Sequence, residues 1–155
     1  MDRIPNLSQG ALDHIMDRVP LVILDIVPWL PADDEGATHV VLVRRARPPF
    51  EGCWHLPGGF LGWGEDFPEA AHRILERETG LHMRSLRAIG FENYQELDPR
   101  GHQVALLFTA EVHGAPMGTP EEPVGVFDPE DLPTPIISYH PAVIQRSLWD
   151  MRGVR

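Results

Sequence analysis

The chain has 155 residues, 43% of them hydrophobic, which suits the core of one compact domain, and it contains no internal repeat. Its formal net charge of -10 argues against a nucleic-acid polymer as partner, because a duplex-binding surface needs a basic footprint. The single cysteine, Cys53, excludes an intramolecular disulfide and a cysteine-rich zinc site, and we interpret it as a small buried hydrophobe.

The first third of the chain predicts a helix followed by two strands. Residues 8–18 begin at a capping serine and carry apolar side chains at helical spacing, so we expect a short helix. The segments Leu21 to Trp29 and Thr38 to Ala46 are rich in branched aliphatic residues. The loop 31–36 between them contains proline and glycine and predicts a hairpin-like connection.

The apolar run from Leu21 to Leu30 does not predict a membrane span. It is far shorter than a helix that crosses a bilayer, and it contains Asp25 and Pro28. The N-terminus lacks the charged and then apolar design of a secretory signal. We therefore expect a soluble cytoplasmic protein with no membrane partner.

A glycine-rich loop and a helix follow at the centre of the chain. The loop Pro57-Gly58-Gly59 predicts a sharp turn and a close backbone approach to a ligand. Asp66 occupies the N-cap position of a helix, Glu69 completes a capping box, and Gly80 is a natural C-terminal cap. The apolar positions between the caps have helical spacing and predict one buried face: Phe67, Ala70, Ala71, Ile74 and Leu75.

The last part of the chain predicts three strands and a helix. Their ranges are Met83 to Tyr94, His102 to His113, Val124 to Phe127 and Ser138 to Met151. The segment Asp98-Pro-Arg-Gly101 is a strong turn signal between the first two. The proline-rich loops 114–123 and 128–135 are long enough to bind a ligand or to serve as surface connections.

The spacing within residues 59–81 resembles the Nudix box. The family pattern is glycine, five residues, glutamate, seven residues, and then Arg-Glu-apolar-any-Glu-Glu-any-Gly-apolar. Two required acidic positions hold Ile74 and Arg77 instead. The chain matches the pattern at Gly59, Glu65, Arg73, Leu75, Glu78, Gly80 and Leu81.

This resemblance implies an α/β fold, the Nudix fold, in which a mixed β-sheet lies between α-helices, as one domain over residues 1–155. It implies a structural role for Gly59, Glu65 and Gly80. It also implies hydrolysis of a nucleoside diphosphate derivative with Mg²⁺ or Mn²⁺, the hard cations that carboxylates bind. The residues implied for catalysis are Arg73, Glu78 and Glu122.

The departures change what the box can bind. Positions 74, 77 and 78 are three and four residues apart and are expected on one helix surface, where the family carries three carboxylates. Here that surface carries one, Glu78, so we expect the metal to bind weakly without substrate. Arg77 either neutralises a substrate phosphate or pairs with Glu78 or Glu76.

A closer resemblance, to the GDP-mannose mannosyl hydrolase branch, rests on Val19 to Asp25, on Arg44-Arg45, and on Gly52 to Gly59. That branch has the same departures in its box, and water attacks the sugar carbon with the help of Mg²⁺. It implies Asp25 and Arg45 as contacts to substrate or leaving group. It implies the Gly59 carbonyl and Glu78 as metal ligands, with Glu122 in place of the branch's third ligand, a glutamine.

The branch pattern fails at two positions of this chain. Phe60 replaces an arginine that follows the paired glycines, and Pro123 replaces the histidine that acts as general base. Proline cannot accept a proton, so the base must come from elsewhere. The candidates that remain open are Glu121, Glu122, His102 and His140.

Three functions are consistent with the sequence. The first is a Nudix hydrolase acting on a nucleoside diphosphate linked to another moiety, such as a nucleotide sugar. The second is a GDP-sugar hydrolase that attacks the sugar carbon. The third is a non-catalytic nucleotide-binding domain, which Phe60, Arg77 and Pro123 favour. In each case the expected partner is a small molecule, and a homodimer is compatible with the chain.

Overall fold

The computed structural model describes residues 7–31, 38–95 and 98–153, and within these ranges three helices and one seven-stranded sheet form the fold. In chain order the elements are α1 Gln9–Met16, β1 Leu21–Pro31, β2 Thr38–Arg44, β3 Trp54–His55, β4 Gly58–Phe60, α2 Phe67–Thr79, β5 His82–Tyr94, β6 Gln103–His113, β7 Val124–Phe127 and α3 His140–Met151.

The sheet is mixed, as the sequence predicted. Its strand order is β3-β2-β1-β6-β5, with β4 also paired to β1 and β7 also paired to β2. The central strands β1 and β6 run parallel from the pair Leu21 and Gln103 to the pair Trp29 and Glu111, and the other pairs are antiparallel. The long parallel pairing places the middle of β1 at the centre of the molecule.

Helices cover both faces of the sheet, so β1 is buried on both sides. On one face Ile23, Val27 and Trp29 belong to a core that also contains residues of α1 and α3. On the other face Leu24 and Ile26 pack with the apolar side of α2. The near-continuous aliphatic run that predicted β1 is therefore the pattern of a strand between two helical layers.

Helix α2 begins and ends at the predicted residues. Asp66 and Glu69 form a reciprocal capping box, and Gly80 closes the helix in the left-handed conformation at φ 69°. Ile74 is fully buried on the predicted apolar face, whereas Phe67, which was assigned to the same face, is 44% exposed. Position 74 therefore does not share an open surface with positions 77 and 78.

The paired glycines adopt a different structure from the predicted sharp turn. Gly58 and Gly59 lie in β4 and pair with Asp25 and Leu24 of β1. The predicted close approach is present, because a Cβ atom on Gly58 would lie 2.6 Å from Asp25 Oδ1 and 2.8 Å from the Leu24 carbonyl oxygen. Glycine is needed here for space and not for a left-handed backbone.

Other differences are small. Helix α3 starts at residue 140 and not at 138, β3 was not predicted, and Cys53 is half-buried instead of buried. Most of the predicted loop 31–36 lies outside the described residues. None of the helices in the described ranges is long and apolar enough to cross a bilayer.

Candidate functional site

A cavity of about 600 Å³ opens between β1, β4, the end of α2 and the start of α3. Its volume is in the range of small-molecule sites. The six residues that the sequence predicted to bind substrate or metal all line this cavity: Asp25, Arg45, Gly59, Arg77, Glu78 and Glu122. Glu65, Arg73 and Gly80 are not among its lining residues. Residues separated by almost 100 positions in the chain are thus brought to one site.

Glu78 lines the cavity, and its carboxylate contacts the Gly58 backbone and Arg77. Its Oε2 accepts a hydrogen bond from the Gly58 backbone N–H at 3.2 Å. Its Oε1 lies 3.0 Å from Arg77 Nη2, in an ion pair whose side chains are 18% and 42% exposed. The pairing of Arg77 with Glu78 that the sequence left open is therefore present, and it places a guanidinium beside the box carboxylate.

The donor set for a divalent metal is incomplete. Glu78, Glu122 and the Gly59 backbone lie around one cavity, but among the described residues no three His, Cys, Asp or Glu side chains group as metal ligands. A hexacoordinate Mg²⁺ needs more oxygens than this set provides. The residues therefore fit a metal only when a ligand such as a phosphate supplies further oxygens.

Arg73 and Glu65 form a bidentate ion pair beside the site. Arg73 Nε and Nη2 donate to the two Glu65 carboxylate oxygens at 2.6 and 2.7 Å, and Nη2 also donates to the Phe60 carbonyl at 2.9 Å. The same Glu65 accepts from the Gly62 backbone N–H at 2.9 Å. Bonding to Arg73 lowers the pKa of Glu65, although burial opposes it. This arrangement fixes the loop between β4 and α2, so Arg73 is placed as a positioning residue.

We expect Arg73→Lys to loosen this loop, because an ammonium cannot make the parallel two-point contact of a guanidinium. The free energy of unfolding should fall by about 1–3 kcal/mol, which chemical denaturation measures. Arg84→Lys, an exposed arginine change on β5, is the control and should leave the unfolding free energy unchanged. Equal stability of the Arg73→Lys and wild-type proteins would contradict the proposed role of the bidentate pair.

Buried polar atoms without a hydrogen-bond partner among the described residues lie at the cavity wall. They include Asp25 Oδ2 and Gln103 Oε1, whose residues line the cavity; Tyr94 Oη is in the same state, but Tyr94 is not a lining residue. Burial raises the pKa of Asp25 to about 7, while the Tyr94 hydroxyl and Arg100 partly oppose it. Unpaired buried polar atoms are costly, so their presence at a cavity wall is typical of a binding site.

Two histidines beside Asp25 are neutral. Burial lowers the pKa of His55 to about 4 and lowers that of His140 well below its ordinary value. His140 Nδ1 accepts from the Leu56 N–H at 3.0 Å, so its proton is on Nε2, which lies 3.8 Å from Asp25 Oδ2. His55 Nδ1 donates to the Leu56 carbonyl at 2.7 Å. Both rings therefore have fixed tautomers.

The structure separates the four candidate bases. Glu122 and His140 line the cavity, whereas Glu121 and His102 are not among its lining residues. His102, directly before β6, is hydrogen-bonded to Asn93. His140 is held neutral and already uses Nδ1, so Glu122 is the remaining candidate that lines the cavity.

Sequence reasoning missed several groups that line the cavity. His55 was read only as part of a stretch similar to a family motif. Asp98 and Arg100 were read as a turn, although Arg100 lines the cavity and forms a bidentate ion pair with Asp98. The signal was available in the turn itself, because an Asp and an Arg two residues apart can close on each other. The position of this ion pair against Tyr139 could not be inferred from the sequence.

Comparison with known proteins matches residues 26–146 to the NUDIX domain. An ADP-ribose pyrophosphatase of Methanocaldococcus jannaschii is 35% identical over 101 residues, which are 64% of this chain and 60% of that protein. The low-salt glycan biosynthesis protein Agl8 of Haloferax volcanii is 31% identical over 149 residues, 91% of this chain and 86% of that protein. The chain thus spans less than two thirds of the pyrophosphatase that it matches.

A solved structure supports the same fold. The NUDIX domain of Shewanella oneidensis NrtR complexed with ADP ribose aligns with a TM-score of 0.76 and 24% identity, over 94% of each chain. At this identity the likeness concerns the fold alone.

Proposed function

The chain belongs to the NUDIX domain family, and on that premise we propose that it hydrolyses a nucleoside diphosphate linked to a second moiety, with ADP-ribose and nucleotide sugars as the first candidates. A relative named ADP-ribose pyrophosphatase and a relative named for glycan biosynthesis support this substrate class. The GDP-mannose-like alternative is the narrower form of the same proposal.

The observation that carries the proposal is the composition of the cavity wall. Arg45, Arg77 and Arg100 line the same cavity as the Glu78 and Glu122 carboxylates. Guanidinium groups match phosphate oxygens in charge and geometry. A protein whose net charge is -10 concentrates positive charge here, which suits a small polyanion.

A divalent metal would neutralise charge on the phosphates and polarise the bond that breaks. Glu78, Glu122 and the Gly59 carbonyl would hold it, with substrate oxygens completing the shell. Arg77 beside Glu78 adds a fixed positive charge at the same place and lowers the need for a complete box. We therefore expect the metal affinity to be low in the absence of nucleotide and higher in its presence.

The proposal is tested by incubating the protein with ADP-ribose, several nucleotide sugars and a dinucleotide in oxygen-18 water with Mg²⁺ or Mn²⁺. We expect slow turnover with the label in a phosphate product, because the arginines and carboxylates that line the cavity would act on the diphosphate of a bound substrate. Mass spectrometry of the products reads the position of attack. Reactions without protein give the background rate for each substrate.

Two other results would replace the proposal. Label in the free sugar would favour attack at carbon, as in the GDP-sugar alternative. Binding of nucleotides without turnover of any panel member would favour a non-catalytic binding domain. The buried Ile74 and the Arg77–Glu78 pair are the observations that favour that last function.

A further inference from the structure

Arg100 is held rigidly at the wall of the cavity by a buried carboxylate. Its Nε and Nη2 donate to Asp98 Oδ1 and Oδ2 at 2.8 and 2.5 Å. The Asp98 side chain is 0% exposed, while that of Arg100 is 27% exposed. The Arg100 backbone N–H and the Tyr139 hydroxyl also donate to this carboxylate, at 2.9 and 3.2 Å. The guanidinium is thus oriented before any ligand binds.

The Asp98 carboxylate is fixed in its charged form by these contacts. Burial alone would raise its pKa, but bonding to Arg100 and the Arg100 charge outweigh burial and lower it. A bidentate pair uses two of the three guanidinium nitrogens, so Nη1 lies outside this contact. Arg100 therefore offers a donor to the cavity without giving up its anchor.

A second arginine, Arg45, lines the same cavity. Burial lowers the pKa of Arg45, and the charge of Arg100 lowers it further, so the two guanidinium groups repel each other across the cavity. Arg45 is held in place by donating to the Pro49 carbonyl at 2.7 Å. Asp98, Glu122 and Glu78 act on Arg45 as attractive charges. Arg45 and Arg100 line the same cavity as the Glu78 and Glu122 carboxylates.

Like charges held near each other in a partly buried cavity are costly unless an anion binds between them. Neither of the neighbouring histidines supplies charge, since His55 and His140 are neutral. An anion placed between Arg45 and Arg100 would remove the repulsion and gain two charge-assisted contacts.

We propose that Arg100, anchored on Asp98, forms with Arg45 a two-arginine subsite that binds a phosphate of the substrate diphosphate. The inference rests on the proposed nucleoside diphosphate class of ligand. It assigns a binding role to a turn residue whose pattern indicated only chain reversal. It also predicts that the cavity distinguishes a diphosphate from a monophosphate through side chains of the protein.

The test compares ADP and AMP binding by calorimetry, without metal, in the wild-type protein and in a paired Asp98→Asn, Arg100→Gln variant. The paired change avoids a buried, unpaired carboxylate, because the asparagine amide oxygen can still accept from the backbone N–H of position 100 and its amide nitrogen can donate to the Tyr139 hydroxyl oxygen. The wild-type protein should bind ADP at least about 10-fold more tightly than AMP, the effect of one charge-assisted phosphate contact. The variant keeps Arg45 but loses the Arg100 contact, so its ADP preference should be about 10-fold smaller than that of the wild-type protein.

The matched control is Glu92→Gln, Arg146→Gln, which removes an exposed Arg–carboxylate pair outside the cavity. It should preserve the ADP preference of the wild-type protein. Thermal unfolding checks that each variant folds, and Arg100→Lys provides a second test if the paired variant does not. The lysine retains one positive charge but lacks the two-point donor geometry of the guanidinium. The ADP preference of Arg100→Lys should therefore fall between those of the wild type and the paired variant.

An undiminished ADP preference in a folded Arg100 variant would overturn the proposal, and so would an equal loss of ADP and AMP affinity. These results are independent of the hydrolase assignment. A protein that prefers ADP through Arg100 but turns over no substrate would retain this subsite and reject catalysis. A protein that hydrolyses ADP-ribose without any dependence on Arg100 would retain the hydrolase assignment and reject this subsite.

Discussion

Glu78→Gln is expected to reduce hydrolysis of the best nucleoside diphosphate substrate by about 100-fold or more, while the protein stays folded. The glutamine has nearly the same shape and can still accept the hydrogen bond from the Gly58 N–H. The substitution removes the negative charge that lies beside Arg77 in the cavity. A loss of several kcal/mol of transition-state stabilisation by a metal corresponds to a factor of at least this size. Steady-state rates at saturating Mg²⁺ measure it.

Glu76→Gln is the control for this prediction. Glu76 lies on the same helix, is exposed, and is near His72, and it does not line the cavity. The same chemical change there should leave the rate and the unfolding temperature unaltered. A Glu78→Gln protein that retains the wild-type rate and metal response would reject Glu78 as the central carboxylate of the site.

Asp25→Asn is expected to make the protein more stable at pH 8, by as much as about 4 kcal/mol. Burial raises the pKa of Asp25 from 3.8 to about 7. Each pH unit of such a difference is worth about 1.4 kcal/mol. Between these two values the unfolded chain loses the proton while the folded chain keeps it. The wild-type stability should therefore fall as the pH rises from about 4 to about 7 and remain level above that.

The asparagine variant lacks this titration, so its advantage should be small at pH 4 and largest above pH 7. Chemical denaturation across this range measures the difference. Asp131→Asn, an exposed aspartate in the loop before α3, should show no such trend. If Asp25 contacts the substrate, the more stable variant should also bind nucleotide more weakly, because a buried polar group kept for binding lowers the stability of the protein. A variant with wild-type pH dependence would contradict the buried, proton-holding state of Asp25.

The elements of the fold could be predicted because their signals are local. Asp66, Glu69 and Gly80 mark the ends of α2 through bonds within one or two turns, and all three occupy the predicted caps. The aliphatic run of β1 predicted a strand, and its lack of alternation reflects burial on both faces. The short strands β3 and β4 could not be predicted, since two or three residues carry no periodicity and their pairing with β2 and β1 is long-range.

The candidate site was predicted in part. The box spacing identified Gly59, Glu78 and Arg77, and the resemblance added Asp25, Arg45 and Glu122, all of which line one cavity. The apolar spacing of α2 placed Ile74 on the buried face, and the structure buries it there. Arg73 was grouped with the catalytic residues, but its partners Glu65 and Phe60 place it as a support of the loop.

The sequence by itself determined the helices, the principal strands and the family, because capping, periodicity and the box spacing act over a few residues. Only the tertiary structure decided the chemistry of the cavity. The pairing of β1 with β4 brings Asp25 against Gly58, and the packing of α3 brings His140 to the same carboxyl. The turn before β6 brings Arg100 to the wall of the cavity. Burial, which changes the pKa of Asp25, His55 and His140, arises from elements distant in the chain, and no local pattern encodes it.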